Sequence, residues 1–349
     1  MNRFAVFSGF LGAGKTTAMM ALTRPDGVQR VKTAMISNDL GGQGLADDRF
    51  ARLSGCRASE LTDECICYQR ENLLQRLREL FDDGCGLVLS DIPGFGVGAL
   101  EHVYHGLRGQ VELAPFTVLT EHDTVQTLRG GGDAELRFLM DAQLAEADLI
   151  VLNKCDRLSA QQRAADAAFL LENYPQAQVL CISARTGEGL EALSEALCTQ
   201  SASMRCPDVG YGGEAFLRAM TRMSEYYLQY RAAVCCGSFD GSAYLAELAD
   251  VVRAGVAAAG FEIPHLKLLA WTPEGDFGKA DLLGTARGVE RTRDFAAPCT
   301  DIAVVLNGSA ACPYRELDDI VTGAVETVSE RFRLELSVFG KECFGMGKQ

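Results

Sequence analysis

The sequence predicts a doubly wound α/β domain followed by a smaller α+β domain. Short apolar runs alternate with amphipathic stretches over residues 1–200, and most of the runs are almost continuously apolar, as parallel strands covered on both faces are. The stretch TQSASMRCPDVGYGG (199–213) is rich in Ser, Gly and Pro, which is typical of a linker. We therefore expect a first domain at 1–200, a linker at 201–213 and a second domain at 214–349.

The elements of the first domain follow from the same patterns. Apolar runs predict strands at 3–8, 32–37, 86–91, 115–120, 148–153 and 178–183. Apolar residues spaced three and four apart predict helices at 69–81, 133–147, 160–172 and 190–197. In such an alternating sheet a ligand lies at the carboxyl ends of the strands.

The second domain has a different order of elements. The patterns predict helices at 214–231, 242–259 and 314–331, with extended segments at 233–239, 265–272, 280–288, 301–307 and 334–339. That order suggests an α+β domain, with the ferredoxin-like fold as its candidate form. Tyr226, Tyr227 and Tyr230 would then pack on the first helix. Cys235 and Cys236 would be small buried hydrophobic residues on the following strand.

Composition and charge limit the expected partners. With 48% hydrophobic and 23% charged residues, the chain has the composition of an ordinary soluble globular protein. A net charge of -14 repels phosphate backbones and anionic lipid, so nucleic acid and membrane surfaces are not expected partners. Thirteen cysteines without a secretion signal favour reduced thiols in the cytoplasm over a disulfide framework.

The stretch GFLGAGKT (9–16) fits the pattern G-x-x-x-x-G-K-[ST] and stands between a predicted strand and a predicted helix. Glycines allow backbone N–H groups to converge on phosphate oxygens, and a helix N-terminus adds the positive end of its dipole. Lys15 would reach the β- and γ-phosphates, and the Thr16 hydroxyl would ligate Mg²⁺. We expect these residues to hold the nucleotide phosphates: Gly9, Gly12, Ala13, Gly14, Lys15, Thr16 and Thr17.

The stretch NKCD (153–156) follows another predicted strand and resembles the N-K-x-D motif that recognises guanine in GTPases. Asp156 would accept hydrogen bonds from the N1–H and the exocyclic amino group of guanine. Adenine has neither donor on that edge, so an unpaired carboxylate would penalise ATP. SAR (183–185) resembles a further element whose backbone contacts the base. The expected base-binding residues are Asn153, Lys154, Asp156, Ser183, Ala184 and Arg185.

Asp91 ends a predicted strand and lies three residues before Gly94, which is the D-x-x-G spacing of a phosphate-sensing loop. The carboxylate would lie near Mg²⁺, and the Gly94 N–H would face the γ-phosphate. In the loop SNDLGGQG (37–44), Asp39 is the candidate for contacting the metal or the attacking water, and Gln43 is a weaker candidate for orienting that water. Thr16, Asp39 and Asp91 are thus the expected Mg²⁺ ligands, and hydrolysis is expected to depend on Lys15 and Gly94 as well.

Together these motifs resemble the CobW-type GTPases, relatives of the nickel-insertion GTPases of urease and hydrogenase maturation. The resemblance rests on GFLGAGKTT, SNDLGGQGLADD, ECIC, SDIPG and NKCD, and it covers residues 1 to 200. It implies a Mg²⁺-dependent GTPase that gates delivery of a metal or assembly of a metallocofactor enzyme. The implied partner is a client metalloenzyme or corrinoid-type protein, bound by the second domain.

Three departures from that family affect the expectation of a metal-binding site. The family's Gly-Cys-Ile-Cys-Cys stretch corresponds here to residues 64–68, where Tyr68 replaces the last cysteine. Asp91 replaces a glutamate, and the four histidines are scattered. Cys65 and Cys67, with Cys56 as the candidate third ligand, would bind Zn²⁺ or another transition metal. The alternative is that the loop keeps thiols without binding metal.

Two other functions remain open at this point. One is a GTP-dependent activator of a corrinoid methyltransferase-type enzyme without metal cargo, and the other is a regulatory GTP-binding module with negligible hydrolysis. We expect slow intrinsic GTP hydrolysis, because the sequence places no arginine to stabilise the transition state. A partner protein or the second subunit of a homodimer would then supply one.

Overall fold

The computed structural model describes residues 2–24, 27–28, 30–38, 46–61, 65–131 and 133–346. The chain divides into two compact units. The first comprises Met1–Leu40 and Ser54–Ala219, and the second comprises Gly41–Leu53 and Met220–Gln349. None of the helices in the described part is both long and apolar enough to cross a membrane.

The secondary structure alternates strands and helices through most of the chain. The strands are β1 (Arg3–Ser8), β2 (Thr33–Asn38), β3 (Ala58–Leu61), β4 (Leu87–Asp91), β5 (Glu112–Leu113), β6 (Thr117–Thr120), β7 (Leu149–Leu152), β8 (Gln178–Cys181), β9 (Ser224–Val234), β10 (Glu262–Trp271), β11 (Phe277–Leu282), β12 (Glu290–Arg293), β13 (Asp301–Ala311) and β14 (Leu334–Gly345). The helices are α1 (Lys15–Thr23), α2 (Ala46–Leu53), α3 (Arg70–Asp82), α4 (His122–Leu128), α5 (Ala134–Glu146), α6 (Ala160–Asn173), α7 (Leu190–Thr199), α8 (Glu214–Thr221), α9 (Gly241–Ala258) and α10 (Tyr314–Phe332).

The first unit is built on a parallel sheet with the order β3-β2-β4-β1-β6-β7-β8, and β5 pairs with β1. Its central strands β1, β2 and β4 are buried along their whole length, because helices cover both faces of the sheet. The predicted doubly wound α/β fold is therefore confirmed. The carboxyl ends of β1, β2, β4 and β7 meet at one edge, where the motif-bearing loops follow them.

The second unit is an antiparallel sheet with the order β12-β11-β10-β13-β9-β14. Its elements β9, α9, β10, β13, α10 and β14 have the order and the neighbours of the ferredoxin-like fold, and β11 and β12 extend one edge. Alternate residues of β10 (Leu266, Leu268 and Ala270) join the apolar core that α9 and α10 also line. The predicted α+β class is confirmed.

The start of the second unit differs from the prediction. The predicted helix at 214–231 is wrong after Thr221, since β9 begins at Ser224. Tyr226, Leu228 and Tyr230 are buried at alternate positions, and this two-residue period with aromatic side chains favours a strand. The predicted strand at 233–239 is wrong after Val234, where β9 ends. Cys235 and Cys236 are consequently exposed and not buried.

Helix α2 was not predicted, and it belongs to the second unit although its sequence lies between β2 and β3. The Lys267 ammonium pairs with the Asp47 carboxylate at 2.6 Å, and both side chains are buried. The guanidinium of Arg49 lies 4.7 Å from the centre of the Trp271 ring. The backbone N–H of Ala46 donates to Asn307 Oδ1 at 3.2 Å. These contacts fix the helix to β10 and β13.

Two glycines of the second unit should respond oppositely to replacement by alanine. Gly308, with a φ of +145°, lies in β13, and a Cβ there would collide with the His265 carbonyl oxygen. We expect Gly308→Ala to lower the free energy of unfolding by about 1–3 kcal/mol. A Cβ on Gly323 in α10 would meet nothing within 4 Å, so Gly323→Ala should raise stability by about 0.5–1 kcal/mol. Denaturant unfolding of both variants tests this, and equal stabilities would contradict it.

Candidate functional site

The candidate phosphate loop (9–16) follows β1 and runs into the start of α1, as the sequence predicts. Gly9, Gly12 and Gly14 have φ angles of 126°, 80° and 90°, which favour glycine. A Cβ on Gly9 would also collide with the Leu119 carbonyl oxygen. The Lys15 ammonium donates to the Gly9 carbonyl oxygen at 2.7 Å, which holds it against the loop. Thr16 and Thr17 follow in the first turn of α1.

The candidate base loop (153–156) follows β7 and contacts the candidate phosphate loop through Asn153. The Asn153 amide nitrogen donates to the Ala13 carbonyl oxygen at 2.9 Å, and its amide oxygen accepts from the Ala184 N–H at 3.0 Å. One side chain therefore links the loops after β1, β7 and β8. Lys154 has a left-handed φ of 60°, and its ammonium pairs with Glu121 at 2.8 Å.

Asp156 lies beside the two other residues predicted for the base. Its Oδ1 accepts from the Ser183 hydroxyl at 2.7 Å, and its Oδ2 accepts from the Arg185 guanidinium at 2.6 Å. The hydrogen bond from Ser183 and then that from Arg185 lower the pKa of the Asp156 carboxyl, so it is ionised at neutral pH. The Arg185 side chain is 70% exposed, so releasing this pair would cost little.

Asp91 is the last residue of β4, and Gly94 lies in the loop that follows this strand. Asp91 is buried at the end of β4, and its Oδ1 accepts from the Asn38 N–H at 3.0 Å. A Cβ on Gly94 would lie 2.9 Å from the Leu11 backbone nitrogen, which places the D-x-x-G glycine against the phosphate loop. The hydroxyl of Thr16 and the carboxylate of Asp91 are the oxygen donors that suit Mg²⁺. Asp39 and Gln43 lie outside the described residues.

Two polar residues of α5 that the sequence did not single out hold the loop after Asp91. The Gln143 amide nitrogen donates to the carbonyl oxygens of Gly94 and Gly96, both at 3.0 Å. The Glu146 carboxylate accepts from the N–H groups of Gly98 at 2.9 Å and Leu100 at 3.0 Å. Burial raises the pKa of Glu146 to about 7, although these backbone bonds oppose the shift. The signal in the sequence that could have pointed to them is the occurrence of two polar residues, three apart, within an apolar helix face.

The thiols of Cys65 and Cys67 are 3.0 Å apart in a turn that the Tyr68 N–H closes by donating to the Cys65 carbonyl oxygen at 2.9 Å. The two thiols share this hydrogen bond, which lowers the pKa of the Cys65 thiol and raises that of Cys67. Cys56 points elsewhere: its thiol contacts the Met20 carbonyl oxygen at 3.8 Å. Within the described ranges, no three His, Cys, Asp or Glu side chains form a metal-binding group.

Comparisons with known proteins agree with the motifs. Residues 3–180 match the family described as CobW/HypB/UreG, nucleotide-binding domain. A zinc chaperone CobW of Sinorhizobium sp is 31% identical over 189 residues, which are 44% of this chain and 51% of that protein. A zinc chaperone CobW of Pseudomonas aeruginosa is 27% identical over 214 residues, 52% of this chain and 56% of that protein. The chain thus spans about half the length of the curated relatives it matches.

Among solved structures, the Zn(II)-bound YjiA GTPase from E. coli covers 92% of this chain and 98% of its own. It is 14% identical, and the TM-score is 0.37.

Glu146 should make stability depend on pH. Its pKa is raised from 4.5 to about 7, so the folded protein binds more protons than the unfolded chain between these values, and the free energy of unfolding falls as the pH rises through them. The loss should approach about 3 kcal/mol. We expect Glu146→Gln to remove this loss. The free energy of unfolding of the variant should therefore rise relative to that of the wild type between pH 5 and pH 8.

Denaturant unfolding at both pH values checks this prediction. Glu172→Gln, at an exposed position of α6, is the matched control. The same pH dependence in wild type and Glu146→Gln would show that the Glu146 carboxyl is not the cause.

Proposed function

The chain belongs to the CobW/HypB/UreG family, and on that premise we propose that it is a GTP-binding and GTP-hydrolysing switch protein that serves metal delivery or the maturation of a metalloenzyme. The observation that carries this proposal is the position of Asn153. Its amide holds the phosphate loop at Ala13 and the loop after β8 at Ala184, next to the Asp156 carboxylate. This geometry supports one nucleotide bound through its phosphates and its base together.

In the proposed reaction, Lys15 and the backbone N–H groups of residues 12–16 bind the phosphate oxygens. Thr16, Asp91 and the predicted ligand Asp39 would hold Mg²⁺, which when bound neutralises charge on the β- and γ-phosphates. The Gly94 N–H would face the γ-phosphate, and its loop would lose that partner after hydrolysis. Turnover is expected to be slow until a client or a second copy of the chain supplies an arginine.

Metal cargo is the finer part of the proposal. Two thiols 3.0 Å apart form a donor pair that suits soft metals such as Zn²⁺. The name of the two curated relatives, zinc chaperone CobW, supports the same cargo. The client is proposed to bind the second unit.

A second candidate function, an activator of a corrinoid methyltransferase-type enzyme without metal cargo, is favoured by Tyr68. This residue stands where the family carries a further cysteine. Its hydroxyl lies 2.7 Å from that of Tyr211 and is engaged in that contact.

Replacing Asp156 tests the nucleotide. We expect Asp156→Asn to weaken GTP binding by about 10- to 100-fold, because the amide presents a donor to the donor edge of guanine. Xanthosine triphosphate carries an acceptor at that edge and should bind the variant better than the wild type. Competition binding with both nucleotides measures this, and the gain for xanthosine triphosphate excludes simple unfolding. Unchanged GTP affinity in Asp156→Asn would refute the assignment of Asp156 to the base.

Replacing the thiol pair tests the cargo. Protein purified without oxygen and titrated with Zn²⁺ should bind the metal stoichiometrically in the presence of GDP or of a non-hydrolysable GTP analogue. The double variant Cys65→Ser/Cys67→Ser should lose this binding, and Cys206→Ser, which changes an exposed thiol outside the turn, should retain it. Elemental analysis gives the stoichiometry. Absence of metal in both nucleotide states would favour the activator without cargo.

A further inference from the structure

Asn38 connects the Asp91 carboxylate to the cysteine turn. It is the last residue of β2 and is 0% exposed. Its backbone N–H donates to Asp91 Oδ1 at 3.0 Å, where β2 and β4 end side by side. The residue that contacts the proposed Mg²⁺ ligand is therefore part of the sheet itself.

The Asn38 side chain extends from this point to the thiols. Its amide nitrogen donates to the Leu61 carbonyl oxygen at 3.2 Å, at the end of β3. Its amide oxygen accepts from the Ile66 N–H at 2.9 Å. Ile66 is buried and lies between Cys65 and Cys67, so this hydrogen bond fixes the middle of the turn that presents both thiols.

The same residue thus takes part in both sites, with its backbone at Asp91 and its side chain at the turn. Because Asn38 is enclosed on all sides, a shift of its backbone cannot be absorbed by rotating the amide into solvent. A change in how Asp91 holds Asn38 must therefore change the Ile66 hydrogen bond as well. Coupling between sites requires such a shared element with different contacts in the two states.

We propose that Asn38 is a positioning residue that couples the nucleotide state at Asp91 to the exposure and metal affinity of the Cys65–Cys67 turn. This inference rests on the proposed function for the nucleotide. It does not require metal cargo, because the position of the thiols can be followed without metal.

Alkylation rates of Cys65 and Cys67, measured by peptide mass spectrometry, test the coupling in metal-free protein. We expect the rates with Mg²⁺-GDP and with a Mg²⁺-bound GTP analogue to differ by about fivefold or more, the lower range of coupling between sites. In Asn38→Ala the two rates should agree to within about twofold, the loss of nearly all that coupling. Ser90→Ala is the control, because it removes a buried hydrogen bond to the Ile36 carbonyl oxygen in β2, the strand that ends with Asn38. This variant should keep the wild-type ratio of the two alkylation rates.

Equal rates in the wild type, or the wild-type ratio in Asn38→Ala, would overturn the proposal. Hydrogen exchange of the Ile66 amide in the wild type requires no variant and applies even if Asn38→Ala does not fold. Its protection should differ between the two nucleotides, and equal protection would also overturn the coupling. Separate titrations with the GTP analogue and with Zn²⁺ show whether the proposed nucleotide binding or the proposed metal binding is wrong, independently of the coupling.

Discussion

The Asn153 amide donates to Ala13 and accepts from Ala184, so a single planar group sets the distances from the base loop to the phosphate loop and to the loop after β8. Gly14 must lack a side chain for the same reason, since a Cβ there would collide with the Asn153 amide nitrogen. The three loops leave the carboxyl ends of three parallel strands, which the sheet holds at fixed spacing. Every other contact proposed for the nucleotide depends on that spacing.

On the same edge, buried polar side chains hold the loops expected to change with the nucleotide. Gln143 and Glu146 bind the backbone after Asp91, and Asn38 binds Asp91 itself. Burying a carboxyl such as Glu146 costs free energy even when N–H groups surround it, which its raised pKa expresses. The polar groups of a loop can form new hydrogen bonds when their partners change. A loop packed by apolar side chains loses much more free energy when it moves, because its packing contacts are not replaced.

Patterns among residues that are close in the sequence predicted much of this structure. Continuous apolar runs marked the buried strands of the first unit, and glycine spacing marked the phosphate loop before Lys15. The helix predicted at 214–231 failed because a two-residue period in the sequence was overlooked, whereas two other failures have their cause in long-range contacts. Helix α2 is fixed by the ion pair of Asp47 with Lys267, which are 220 residues apart in the chain. The roles of Gln143 and Glu146 depend on a loop 46 to 49 residues earlier, so two polar residues within an apolar helix face gave no indication of which backbone they hold.

The form of the cysteine turn bears on what a carrier requires. A structural zinc site encloses its metal with four protein ligands and releases it slowly. In the described part of this chain, the turn provides two thiols, and Tyr68 is engaged with Tyr211. Under the proposed function, the remaining coordination positions are open to ligands of a client, and transfer can proceed by ligand exchange without unfolding a closed site. Control over that exchange then lies in the backbone that positions the thiols, which is where the Asn38 side chain binds.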